Sequence, residues 1–289
     1  MGGFLRRHKG AVPYLLLGPG LLWLAVFYVV PGFQMFITSL WSGTLETGYE
    51  FTLSNVSNYT AALARFAPQF TRSILYGGAA TILTFAISYP LAYTIAFRGG
   101  RYKNLLLFLV IAPFFTSFLL RTLSWKTILG DTGILLGPLK AAGFLPDEFH
   151  LLATPIAVVF GITYNFLPFM TLPIYVSLEK IDRRLVEAAE DLFASSFGAF
   201  RRITLPLSLP GVFAGSLLTF IPAMGDYVNA ELLGNPDTTM IGNVIQNQFL
   251  TQNNYPTASA LSFLLMAGIL IAVGIYARLL GTDELAGGA

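Results

Sequence analysis

Long apolar stretches separated by short polar ones recur along this chain. A helix that crosses a hydrocarbon core about 30 Å thick needs roughly 20 mostly apolar residues. Six segments meet that requirement: Tyr14 to Leu40, Ser73 to Phe97, Asn104 to Trp125, Leu151 to Val176, Pro206 to Tyr227 and Thr257 to Leu280. The pattern predicts an all-α integral membrane protein of about six transmembrane helices. The first segment follows Arg6, Arg7 and Lys9, as a secretory signal would. It is longer than a signal core and lacks a small-x-small cleavage site, so a retained signal-anchor is expected.

Composition adds mainly exclusions. Of 289 residues, 55% are hydrophobic and only 11% charged, against roughly 25% charged in soluble proteins. Mean hydropathy is +0.67. A single transmembrane domain over 1–289 is expected, with no room for a large soluble one. Cysteine is absent, which removes disulfides and thiolate ligands. The 2 histidines, His8 in a basic tail and His150 at a loop end, do not make a metal site or a triad. No metal, cofactor or catalytic group is expected in this chain. A net charge of +2 says nothing for nucleic acid, and no such partner is expected.

The placement of charge is more telling than its total. With a cytoplasmic amino terminus, the inner segments collect Arg6, Arg7 and Lys9, then Arg98, Arg101 and Lys103, then Lys180, Arg183, Arg184, Arg201 and Arg202, and last Arg278. The outer loop from Val228 to Pro256 has no Lys or Arg. The positive-inside bias predicts both termini in the cytoplasm, with Trp41 and Trp125 near outer ends as interface anchors. Prolines 19, 31, 90, 113, 155, 168, 173 and 222 fall within the spans. Each removes a backbone donor and bends its helix, so a bent, interlocked bundle around a cavity is expected.

The inner connection from Ser177 to Leu205 is longer than a turn requires, charged and helix-patterned. Asp182 suits an N-cap and Gly198 a stop. Leu185, Ala188, Ala189 and Leu192 share one face of the intervening helix, and Arg183, Glu187 and Asp191 another. Small residues admit a partner surface close to the backbone, and the charges give it register. A helix lying in the lipid interface is the competing reading of this pattern.

Glu187-Ala188-Ala189, followed by Ile203, Leu205 and Pro206, resembles the EAA loop of binding-protein-dependent ABC importer permeases. The resemblance implies the type I importer permease fold in a bacterial plasma (inner) membrane, with this loop as the coupling helix in a groove of the ATPase. The ATPase-coupling residues it implies are Glu187, Ala188, Ala189, Asp191, Arg183 and Phe193. Phe193 stands where the family carries glycine. Leu167-Pro168-Phe169-Met170, Pro222 to Tyr227, Glu231 to Gly234 and Met240 to Ile245 resemble spermidine/putrescine permeases. That likeness implies a second homologous permease subunit, two cytoplasmic ATPase subunits carrying ATP and Mg2+, and an extracytoplasmic substrate-binding protein.

A di- or triamine needs carboxylates for its ammonium groups and aromatic faces for its cations and methylenes. Asp226, Glu231, Tyr227, Trp125 and Tyr164 offer both, and Arg121 lies near the same outer ends. These six are the candidate substrate path. Asp226 paired with Arg121 as a structural bridge is the competing reading, and Asn165 reads better as an interhelical hydrogen-bonding group. The stretch Asn229 to Tyr255 reads as a gate or as a docking surface for the binding protein. Permeases for iron, phosphonate or sugar share the coupling loop and stay open as alternatives, as does a stand-alone secondary transporter or channel. A membrane-embedded enzyme lacks a reactive constellation here.

Overall fold

The structure, a computed structural model, describes residues 12–44, 46–52 and 55–279. Arg6, Arg7, His8 and Lys9 of the basic tail, and Leu280, lie outside the described residues. Five described helices are long and apolar enough to cross a membrane, and a bent pair makes a sixth candidate span. The chain divides into two compact units, Met1–Arg65 with Asn247–Leu264, and Phe66–Gln246 with Leu265–Ala289. The boundaries after Arg65 and Leu264 fall within helices, and the one after Gln246 falls where an α-helix passes into a π turn.

In the first unit, α1 (Val12–Leu24), a π turn (Ala25–Val29) and α2 (Val30–Ser39) run on as one span. Pro31 has no N–H to give the carbonyl four residues back, and the widened turn falls just before it. A hairpin not foreseen from sequence follows. Strands β1 (Trp41–Thr44) and β2 (Gly48–Phe51) pair antiparallel with Trp41 opposite Phe51. Asn58 Nδ2 donates to the carbonyls of Ser39 at 2.9 Å and Trp41 at 2.8 Å, fixing the exit from α2. The Tyr49 hydroxyl donates to the Asn253 carbonyl at 2.5 Å.

The second predicted span begins far earlier than expected. Helix α3 covers Ser57–Tyr93 and continues through a π turn at Thr94–Arg98, a run of 42 residues. Only Pro68 interrupts its added amino-terminal part, and membrane helices tolerate such a residue.

The third predicted span, Asn104 to Trp125 as one helix, is corrected by the structure. Helix α4 (Lys103–Ile111) tightens into a 3-10 turn at Ala112–Phe115, and α5 (Phe118–Ile128) leaves at 95°. Pro113 supplies no amide, Thr116 is extended (φ −101°, ψ 153°), and the Thr116 hydroxyl takes the Pro113 carbonyl at 2.7 Å. The local hydrogen bonds thus end one helix before the next begins. Beyond α5 and the short α6 (Leu136–Ala141), the connection is stapled by Asp131. Its carboxylate accepts from Lys140 Nζ at 3.1 Å and His150 Nδ1 at 2.7 Å. Lys140 above all, then His150, holds that carboxyl below the usual carboxylate range.

Helix α7 (Pro155–Glu179) starts at Thr154, whose hydroxyl caps the Ala157 amide at 3.3 Å. It packs on α10 (Leu205–Met224) through Gly211 and Gly215. A Cβ at Gly211 would lie 2.5 Å from the Pro173 carbonyl oxygen, and one at Gly215 3.0 Å from that of Met170. The two glycines form a G-x-x-x-G step that brings the backbones together, the usual device where lipid removes any hydrophobic drive between helices. Met170, Ile174 and Leu178 of α7 pack with Tyr89, Ile95 and Val110 in one buried cluster. Hydroxyls add cross-links: Thr171 donates to Ser88 at 2.9 Å, and Tyr89 meets Ser208 at 2.8 Å.

Between α7 and α10 lie α8 (Arg183–Asp191), α9 (Ser196–Ala199) and a π turn (Phe200–Thr204). After α10 come α11 (Val228–Leu233), α12 (Ile241–Gln246) and, from Tyr255 to Leu279, α13. The part of the predicted outer loop that lies in the second unit is well packed. Leu233, Met240 and Ile241 are fully buried, and the Ile241 amide donates to Ser73 Oγ at 2.9 Å.

Candidate coupling and translocation sites

Helix α8 forms as its sequence predicts. The Asp182 carboxylate accepts from the Arg184 amide at 3.0 Å, capping the first turn. Its end differs from expectation: Gly198 is not the stop but lies within α9, where its amide caps on Ser195 Oγ at 3.1 Å. The helix stops instead at Phe193, at φ +63°. Phe193 N donates to the Glu190 carbonyl at 2.9 Å and Ala194 N to that of Ala189 at 3.0 Å. These are the paired bonds of a Schellman cap, whose left-handed residue is normally glycine. The departure at Phe193 therefore keeps the glycine's backbone while adding a ring.

No residue of α8 is buried. Glu187, Ala188 and Asp191 are exposed, Ala189 is half-buried, and the apolar face continues over Leu185, Leu192 and Phe193, the last 99% exposed. Arg183 is differently placed. Its Nη2 donates to the Ala96 carbonyl at 3.1 Å, and its guanidinium lies 5.6 Å from the Phe97 ring centroid. It fastens α8 to the end of the second span. Nearby, Lys103 pairs with Glu179, joining the first residue of α4 to the last of α7. That second tie is not evident in sequence, since the two residues are 76 apart.

The path candidates fall into two groups. Asp226 is buried just beyond α10, and its oxygens accept from the Asn229 amide at 2.8 Å and Asn229 Nδ2 at 2.6 Å. Asn229 Oδ1 in turn accepts from Asn165 Nδ2 at 3.1 Å and Thr122 Oγ1 at 3.4 Å. A polar chain thus links α11, α7 and α5, and Asn165 is an interhelical hydrogen-bonding group. Thr122 and Asn229 went unnoticed in sequence. The three-residue step from Asp226 to Asn229 is the signal that could have found Asn229, whereas Thr122, 107 residues from Asn229, carries no local signal.

Tyr227 and Glu231 are exposed. Asn243 Nδ2 ties them together, donating to the Tyr227 carbonyl at 2.9 Å and Glu231 Oε2 at 3.2 Å. Trp125 and Tyr164, both half-buried, meet edge to face with centroids 5.2 Å apart.

Arg121 belongs with neither group. Lys103 pairs with Glu179 and Lys140 with Asp131, and the expected alternative of an Arg121–Asp226 bridge is not formed. Arg121 is 8% exposed, and no described acceptor meets its buried Nε or Nη1. Its guanidinium lies 5.0 Å from the Phe114 centroid and 5.7 Å from that of Phe118. Cation–π contacts stabilise by about 0.5–2 kcal/mol, whereas burying an ion costs several kcal/mol even after relaxation. Within this chain the charge is under-compensated.

Residues 88–280 match the family of binding-protein-dependent transport system inner membrane components, and the chain belongs to that family. It is therefore a transport component of the inner membrane that works with a binding protein, rather than an enzyme. Among its relatives, the spermidine/putrescine transport system permease protein PotB of Haemophilus influenzae is 39% identical over 89% of this chain and 90% of its own length. PotB of Escherichia coli is 34% identical over 87% and 92%. The inner membrane ABC transporter permease protein YdcU of Escherichia coli is 31% identical over 94% and 90%. A chain of a bacterial ABC transporter that imports the acidic polysaccharide alginate superposes with a TM-score of 0.75 at 20% identity, each chain covered to 96%. That last likeness speaks for the fold.

Proposed function

We propose that this chain is one permease half of an ATP-driven polyamine importer, paired with a second homologous permease above two cytoplasmic ATPase subunits that bind ATP and Mg2+. The observation that carries the cargo is the 39% identity to a spermidine/putrescine permease over 89% of the chain. Coupling is read from α8, where a capped helix turns Leu185, Ala188, Leu192 and Phe193 outward beside Glu187 and Asp191. Apolar residues ringed by charge suit a protein groove, with the acidic pair giving register.

In the path, Glu231 and Tyr227 are the groups proposed to meet an ammonium, with Trp125 and Tyr164 as aromatic walls for the methylene chain. Asp226 is proposed as a positioning group, acting through Asn229, because its oxygens are already engaged.

The test is uptake of labelled spermidine by cells lacking the chromosomal copy and supplied with wild type, Glu187→Lys or Glu231→Gln. Wild type restores uptake. Glu187→Lys is expected to insert normally yet lose the co-purifying ATPase and nearly all transport. Glu231→Gln should weaken apparent affinity about 5- to 20-fold, the loss of one partly solvated ion contact. Wild-type cells that take up another solute but not polyamines would reject the cargo. Unaltered ATPase recovery with Glu187→Lys would reject the coupling site.

A further inference from the structure

The 95° break in the third span brings three unsatisfied features together at one place. The first three amides of α5, those of Phe118, Leu119 and Leu120, have no helical acceptor, and Ser117 supplies no side-chain cap. Around them stand exposed apolar side chains, Phe115 at 81% and Leu119 and Leu120 beyond one half. Beside them is Arg121, over nine-tenths buried, with Nε and Nη1 unmatched by any described acceptor. Its guanidinium leans back over Phe114 and Phe118, toward the break, as helical side chains lean toward the amino terminus.

Candidate surroundings can be separated by what each satisfies. Lipid tails cover Phe115, Leu119 and Leu120 but offer nothing to bare amides, which is why broken backbone at membrane depth is found against protein or lining water. Water satisfies amides but leaves a phenylalanine–leucine surface exposed. A protein surface that carries a carboxylate among apolar side chains satisfies all three, since the anion meets both the guanidinium and the positive end of α5.

We propose that the break is a docking socket for the second membrane subunit, which inserts an Asp or Glu side chain against Arg121 and the first turn of α5. This rests on the two-permease arrangement proposed above, and it assigns Arg121 to assembly instead of to the cargo. A cationic cargo gains nothing from an unpaired guanidinium, and a carboxylate from the partner neutralises it.

The experiment uses the complete importer expressed in membranes, with the photo-reactive residue p-benzoylphenylalanine replacing Phe115. Irradiation is expected to join this chain to the second permease. In the same background, Arg121→Glu should cut that product about ten-fold or more, as loss of a buried charge pair does, while Arg121→Lys retains most of it. A carboxylate-to-Lys change in the cross-linked segment of the partner should restore the Arg121→Glu product. A photo-adduct to lipid, or an Arg121→Glu importer with undiminished cross-linking and partner recovery, would overturn the socket. The two-permease reading is scored separately, by whether the tagged wild-type chain recovers a second permease at all. If it does not, both fall.

Discussion

Phe193 shows how one side chain can be asked for two incompatible things. At φ +63° it takes the left-handed conformation that ends α8, at a cost to an L-residue of roughly 1–2 kcal/mol relative to glycine. In return the ring stands 99% exposed at the tip of the loop. Phe193→Gly should stabilise the end of α8 by about 1 kcal/mol. It would be measured as slower hydrogen exchange of the Phe193 and Ala194 amides, which close the cap. If the ring docks in the ATPase groove, the same variant should hold the ATPase less tightly while its own helix is firmer. Equal exchange in both proteins would show that the cap carries no strain. The identity of this position was legible in sequence as a departure from the family pattern. Its conformation was not, because a dihedral angle depends on where the helix stops. Gly198, the more obvious stop, is used inside the next helix instead.

At the scale of elements, contact between α7 and α10 rests on two glycines four residues apart. Gly215→Leu should force the Met170 backbone away and destabilise the pair by about 1–3 kcal/mol, the usual cost of overpacking. The same residue at Gly274, where a Cβ would meet nothing within 4 Å, should be nearly neutral. Thermal unfolding of the two variants in detergent, followed by monodispersity, distinguishes them. If Gly215→Leu melted with wild type, the close approach would not govern stability. The G-x-x-x-G spacing was present in the sequence, but which helix it meets is a property of the fold. The third span divides the same way. Pro113 announces a bend, yet a proline inside α7 at Pro168 leaves that helix running. The difference is made downstream, by Thr116 and Ser117 taking extended backbone before α5 begins.

For the whole molecule, the apolar runs of the sequence revealed the spans because lipid demands length and hydropathy from each one locally. The ties between spans were hidden because they join residues far apart in the chain, such as Lys103 and Glu179 or Arg183 and Ala96. Arg183 holds α8 to the carbonyl end of the second span, where unpaired carbonyls and the helix dipole favour a cation. A force applied to α8 therefore has a short, stiff route into the bundle, through the Ala96 carbonyl and the Phe97 ring. Arg183→Met keeps much of the side chain's length and removes the bond. It should leave α8 capped by Asp182 and the ATPase bound, yet spend more ATP per molecule imported. Reconstituted in proteoliposomes, the variant importer is expected to retain most of its ATP hydrolysis while substrate uptake falls about 5- to 20-fold, the loss of one charge-assisted hydrogen bond from the driven state. Parallel decline of hydrolysis and uptake would instead place Arg183 in the ATPase contact itself. An unchanged ratio at full activity would show that α8 reaches the bundle by its covalent connections alone.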